Sequence, residues 1–117
     1  MNEDELKLRF KNWAVSVVLF TRNFPNQEDL KIIRHQIIRS ATSSAANYRA
    51  VCRAKSPNDF LNKLKIVEEE LDESLFWFEF ISAIEFKLRQ EIVPIYKEGN
   101  ELLSIIVAFI KKMKQKQ

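Results

Sequence analysis

Ser56-Pro57-Asn58-Asp59-Phe60-Leu61-Asn62-Lys63-Leu64 is the stretch that decides the fold. Ser56 is a residue type that caps helix N-termini, and Pro57 suits the first helical position, where its missing N–H has no partner to lose. Phe60, Leu64, Val67, Leu71, Leu75 and Phe78 then recur at helical spacing, which predicts a helix over residues 57–84. Upstream, Glu28 and Asp29 supply first-turn acids for a stripe of Leu30, Ile33, Ile37, Ala41, Ser44, Tyr48 and Val51, a helix over 28–54. Before it, Leu6, Phe10, Trp13, Val17, Phe20 and Phe24 form a helix over 3–23, stopped by Pro25. Downstream, Leu88, Ile92, Ile95, Leu102 or Leu103, Ile106, Ile110 and Met113 give a fourth over 88–114, with Lys111, Lys112, Lys114 and Lys116 at the negative end of its dipole. Pro94 is tolerable within about one turn of that helix's start and kinks it otherwise, and Gly99 adds local weakness.

The chain has 117 residues, with one Gly and three Pro, too little turn punctuation for an all-β protein. Four helices joined by short connections imply an all-α, single-domain, antiparallel up-down-up-down four-helix bundle over residues 1–117. Cys52, the one cysteine, reads as a small buried apolar residue. The acidic opening Met1-Asn2-Glu3-Asp4-Glu5 does not resemble a signal peptide, and apolar runs such as Leu102 to Ile110 fall short of the roughly 20 residues that cross a bilayer. A cytoplasmic protein without a membrane partner is expected.

Catalytic apparatus is hard to assemble from these residues. A di-metal bundle needs Glu-x-x-His on two helices, whereas His35 is the only histidine and Ile32 stands three residues before it. Glu69 and Glu73 share a helix face but suit ion pairs better than a metal. One Gly builds no phosphate-cradling loop, and the serines lack a His and acid arrangement. The expectation is a protein that is not an enzyme, with no catalytic residue, cofactor, metal or small-molecule substrate.

Two helices carry a second apolar face. Leu8, Val15 and Leu19 lie opposite the core stripe of the first helix, and Ile66, Trp77, Phe80 and Ile84 lie across the third helix from Phe60, Leu64, Val67 and Leu71. Burying a Trp or Phe is worth roughly 2–3 kcal/mol, so such clusters rarely stay exposed on a monomer. These faces predict contacts between copies of the chain.

Net charge is +3 and the pI near 9.1, a mild excess whose distribution matters more than its sum. From Leu30 to Lys55 there is no acid but Lys31, Arg34, Arg39, Arg49, Arg53 and Lys55, while the third helix is rich in Glu and Asp. Lys31, Arg39, Arg49 and Arg53 share one sector of the helical wheel, and with Lys55 they form the candidate nucleic-acid-binding strip. Pairing of these cations with the third helix's acids remains the alternative. Between them, Ser40-Ala41-Thr42-Ser43-Ser44-Ala45-Ala46-Asn47 is unusually small and polar for a helix interior. Tight packing with satisfied polar groups accounts for Ser40, Ser44 and Asn47 better than a polar binding site does.

The run from Arg39 to Ala50, followed by Arg53-Ala54-Lys55-Ser56, Asp59-Phe60, Lys63-Leu64, Ile66-Val67-Glu68-Glu69-Glu70, Asp72-Glu73-Ser74 and Trp77, resembles the 23S rRNA intervening-sequence protein family. Within that resemblance Arg39, Asn47, Arg49 and Arg53 match a small-residue and basic motif, and Glu69, Glu73 and Trp77 an acidic and aromatic one. The resemblance implies a bundle assembling into a ring, typically a homopentamer. It also implies an association with intervening sequences in bacterial 23S ribosomal RNA genes. A related ring, the accessory variability determinant of diversity-generating retroelements, partners a reverse transcriptase through a basic surface. The expected function is therefore a non-enzymatic homo-oligomer that binds RNA or DNA; the alternative is a protein-interaction scaffold for a reverse transcriptase or another nucleic-acid enzyme.

Overall fold

The computed structural model describes residues 1–116. Four helices run α1 (Glu3–Thr21), α2 (Glu28–Val51), α3 (Pro57–Ile84) and α4 (Arg89–Gln115), with a single 3-10 turn at Phe86–Leu88 before the last. Each helix packs on its sequence neighbour and α4 closes against α1, while the backbones of the diagonal pairs stay apart and meet only through core side chains such as Phe20 and Phe78. The result is an antiparallel up-down-up-down bundle of 48 × 23 × 20 Å.

Local chemistry sets the ends. Ser56 Oγ accepts the Asp59 N–H at 3.1 Å and Asp59 Oδ2 accepts the Lys55 N–H at 3.0 Å, a reciprocal cap with Pro57 in the first turn. Asn2 caps α1 likewise, its side-chain oxygen accepting the Glu5 N–H at 2.8 Å. The connections are shorter-ranged turns: Arg22, Asn23 and Phe24 donate to carbonyls three residues back, so α1 ends at Thr21 rather than 23. The same tightening at Arg53 and Ala54 ends α2 at Val51 rather than 54.

The core is the four stripes turned inward. Phe10, Val17, Ile37, Ala41, Leu64, Val67, Leu71, Phe78, Leu102 and Ile106 are completely buried. In the first turn of α3 it is Leu61 that is buried, whereas Phe60, at the open end of the bundle, packs on the core from one side only. Leu102, not Leu103, takes the core position on α4. Pro94 stands inside α4, five residues past its start, on the exposed side. Its ring therefore faces solvent, and the carbonyl it leaves without a helical partner, that of exposed Gln90, is open to water. Gly99 proves to be a packing residue: a Cβ there would lie 2.8 Å from Trp13 Cζ2 and 3.2 Å from Leu75 Cδ2. The Trp13 indole fills that space and donates to the Ile95 carbonyl at 2.9 Å, tying α1 to α4.

Candidate nucleic-acid interface

The small-residue segment of α2 lets α3 come close. Ser40 and Ser44 are fully buried, and Ser40 Oγ meets Ser74 Oγ of α3 at 2.7 Å. Ser44 and Ser74 also bond carbonyls within their own helices: Ser44 donates to Ala41 O at 2.8 Å and Ser74 to Glu70 O at 2.9 Å. Asn47, half-buried, donates to Ser43 O and Ser43 Oγ. No buried side-chain donor or acceptor among the described residues lacks a partner, so the buried serines of this segment are satisfied within the bundle.

The five cations of the sequence-derived strip are all exposed, but they divide into two sets. Arg39 is held by α3: its guanidinium bonds Glu70 at 3.0 Å and also Glu73, which in turn accepts the Trp77 indole N–H at 3.1 Å. The hydrogen bond to Glu73 is the main reason the Arg39 pKa is raised. Glu73 feels burial against its charge, yet Arg39 and Trp77 outweigh that and hold its carboxyl below the usual glutamate range. Sequence pairing of Glu69 with Glu73 misses by one position, because Glu70 rather than Glu69 completes the Arg39 clamp and Glu69 stays exposed. For Arg39 the ion-pair alternative is what the geometry shows.

Arg49 and Arg53 behave differently. They face α1, whose Lys7 and Lys11 approach from the other side to enclose a groove of about 440 Å³ with Leu8, Ala45 and Ala46 as its floor. Four cations and no acid line it. Phe10 of α1 stacks on Tyr48 of α2, ring centroids 4.8 Å apart, in the contact between the two helices that supply the four cations. Lys7 reaches the well-exposed Asp4 at 3.2 Å; Lys11, Arg49 and Arg53 form no ion pair among the described residues. Lys31 lies near the start of α2, about four turns from the groove floor, and Lys55 sits in the α2–α3 turn, where only its backbone N–H is engaged. Lys7 and Lys11 escaped the sequence reading because a wheel of α2 alone does not show what stands beside it. Their one-turn spacing, flanking outward Leu8, was the available signal.

The second apolar faces are where the wheel places them. Leu8, Val15, Leu19, Ile66, Phe80 and Ile84 are each between 42% and 55% exposed. Trp77 is half-buried instead, packed edge-on against Phe76 and Phe80 with its N–H held by Glu73. Phe76 at 51% and Ile32 at 58% exposure enlarge the apolar surface beyond the residues singled out from sequence. Val15 and Leu19 floor a shallow depression with Ala14, Val18, Thr42 and Ala45, directly continuous with the basic groove through Lys11 and Ala45.

Nothing in the described residues groups three His, Cys, Asp or Glu side chains as a metal site would. Cys52 is half-buried beside Tyr48, and burial pushes its thiol pKa up, away from reactivity. No described helix is long and apolar enough to cross a membrane.

Fold and surface together define an all-helical bundle with a cationic groove and uncovered apolar faces. The chain belongs to the 23S rRNA-intervening sequence protein family, whose sequence model matches residues 8–108. It is similar to a crystallographically determined protein of unknown function from the S23 ribosomal protein family of Bacteroides thetaiotaomicron VPI-5482. The two share 30% identity and a TM-score of 0.85 over 95% of this chain and 99% of that one. No curated protein sequence matches the chain.

Proposed function

We propose that this protein is a non-enzymatic, self-associating RNA-binding bundle that grips phosphates in the groove between α1 and α2. One observation carries it: Lys7, Lys11, Arg49 and Arg53 converge on a concave surface that no acid lines, and of the four only Lys7 reaches an acid, the exposed Asp4. The planar forks of Arg49 and Arg53 suit phosphate oxygens, and the floor of Leu8, Ala45 and Ala46 is small and apolar, so backbone rather than base edges is engaged. Membership of a family named for an intervening sequence of ribosomal RNA makes RNA the first polyanion to test. Self-association would cover Val15, Leu19, Phe76 and Phe80 and leave the groove at the rim of the contact.

Replacing both arginines, Arg49→Gln with Arg53→Gln, should weaken binding of a structured RNA by roughly tenfold or more at about 0.1 M salt. Replacing Arg39→Gln, already occupied by Glu70 and Glu73, should change it less than about twofold. Equal losses for both would instead favour a diffuse attraction. Absence of RNA binding by the wild-type protein would leave the scaffold function, in which the charged surface meets a protein such as a reverse transcriptase.

A further inference from the structure

The basic groove is part of a charge separation that runs the length of the molecule. Antiparallel packing gathers the first half of α1, the last turns of α2, the start of α3 and the last turns of α4 at one end. Residues 1–11, 48–69 and 105–116 at that end hold twelve of the 19 Lys and Arg and six of the 16 Asp and Glu, of which Glu68 and Glu69 border Lys65, Lys111 and Lys114. The rest of the bundle holds the other seven cations and ten acids. A chain whose sum is a bland +3 is therefore strongly positive at one end and negative at the other.

Ion pairing sharpens the separation. Arg9 lies at the seam, where Glu98 and Glu101 of α4 hold it at 2.6 Å and 3.0 Å. In the negative part Arg39 is spent on Glu70 and Glu73. At the positive end the intrahelical pairs are Lys7 with Asp4 and Lys63 with Asp59. Lys11, Arg49, Arg53, Lys55, Lys65 and Lys112 are exposed and form no ion pair among the described residues.

We infer that RNA meets this bundle at its basic end, crossing from the α1–α2 groove onto Lys55, Lys65 and the lysines of α4, and that Lys31 takes no part. This rests on the RNA-binding function proposed above. The partner chemistry follows from the surface: a polyanion several charges long, since the cations spread over all four helices instead of focusing on one pocket. The opposite end carries Glu and Asp and would repel the same strand, so the long axis of the bundle is oriented towards the RNA before contact.

Two charge-matched triple variants separate this inference from simple net charge. One removes cations of the basic end outside the groove, Lys55→Gln, Lys65→Gln and Lys112→Gln; the other removes Lys31→Gln, Arg34→Gln and Lys87→Gln from the opposite end. All six positions are exposed and outside the ion pairs, and far-UV circular dichroism checks that both variants fold. Binding of a labelled RNA is followed by anisotropy against salt concentration. The first variant should lose roughly tenfold in affinity near 0.15 M salt, with a salt slope shallower by about 0.7–0.9 for each phosphate no longer neutralised. The second should stay within about twofold of wild type. Equal losses, or no loss in either, overturn the end-on inference while leaving groove binding intact. Failure of the wild-type protein to bind RNA at all removes the underlying function and this inference with it.

Discussion

At the scale of single residues, Gly99 was the position least legible in the sequence. A lone glycine in a helical pattern signals weakness, but only the packed bundle shows that the Trp13 indole occupies the space a side chain would need. Alanine would gain about 1 kcal/mol of helix propensity there. It would also press a methyl group into an indole pinned by its bond to the Ile95 carbonyl, and overpacking of that kind costs about 1–3 kcal/mol. Gly99→Ala should therefore lower the thermal midpoint by several degrees in calorimetry; an unchanged or raised midpoint would show that Trp13 is free to move.

Glu73 gives a second test at this scale. Because its folded pKa lies below the unfolded value, its contribution is complete above about pH 4.3 and is lost as pH falls through the folded pKa. Asp59 acts in the same direction, held low by Lys63 and the Lys55 N–H. Wild-type stability should fall between about pH 5 and pH 3 in denaturant titrations, and Glu73→Gln should fall less steeply over that window.

At the scale of elements, helices were readable because cap, stripe and stop agree. Ser56-Pro57 marks the start of α3, and period-3.6 apolar residues mark the inward faces of all four. What a single-helix wheel lacks is the neighbour. It found that Arg39 and Arg49 share a sector but not that α3 acids hold one while α1 lysines flank the other. The outward faces were legible for the opposite reason, since exposure needs no partner to be specified. Trp77 is the exception: its indole N–H is satisfied by Glu73 four residues earlier, which folds the ring partly onto its own helix. Introducing charge on an outward face, Leu19→Glu on α1 or Phe80→Glu on α3, should leave the helical spectrum intact and reduce the sedimentation coefficient to that of a monomer. A wild-type protein already monomeric at micromolar concentration would remove the self-association proposal.

For the molecule as a whole, composition understates function. A net charge of +3 suggests little, yet folding sorts cations and acids towards opposite ends and converges four cations on one groove. Up-down-up-down topology was legible from the short connections, whereas the end-to-end charge separation emerges only when α1, α2, α3 and α4 are laid side by side. The groove's phosphate binding is the central claim, and its most direct test is the salt dependence of wild-type binding to a short structured RNA. If Lys7, Lys11, Arg49 and Arg53 each displace a counterion, log affinity should fall with log salt at a slope of about −3 from the groove alone, and more steeply where further cations of the basic end take part. A flat salt dependence, or a slope unaltered by Arg49→Gln with Arg53→Gln, would contradict it.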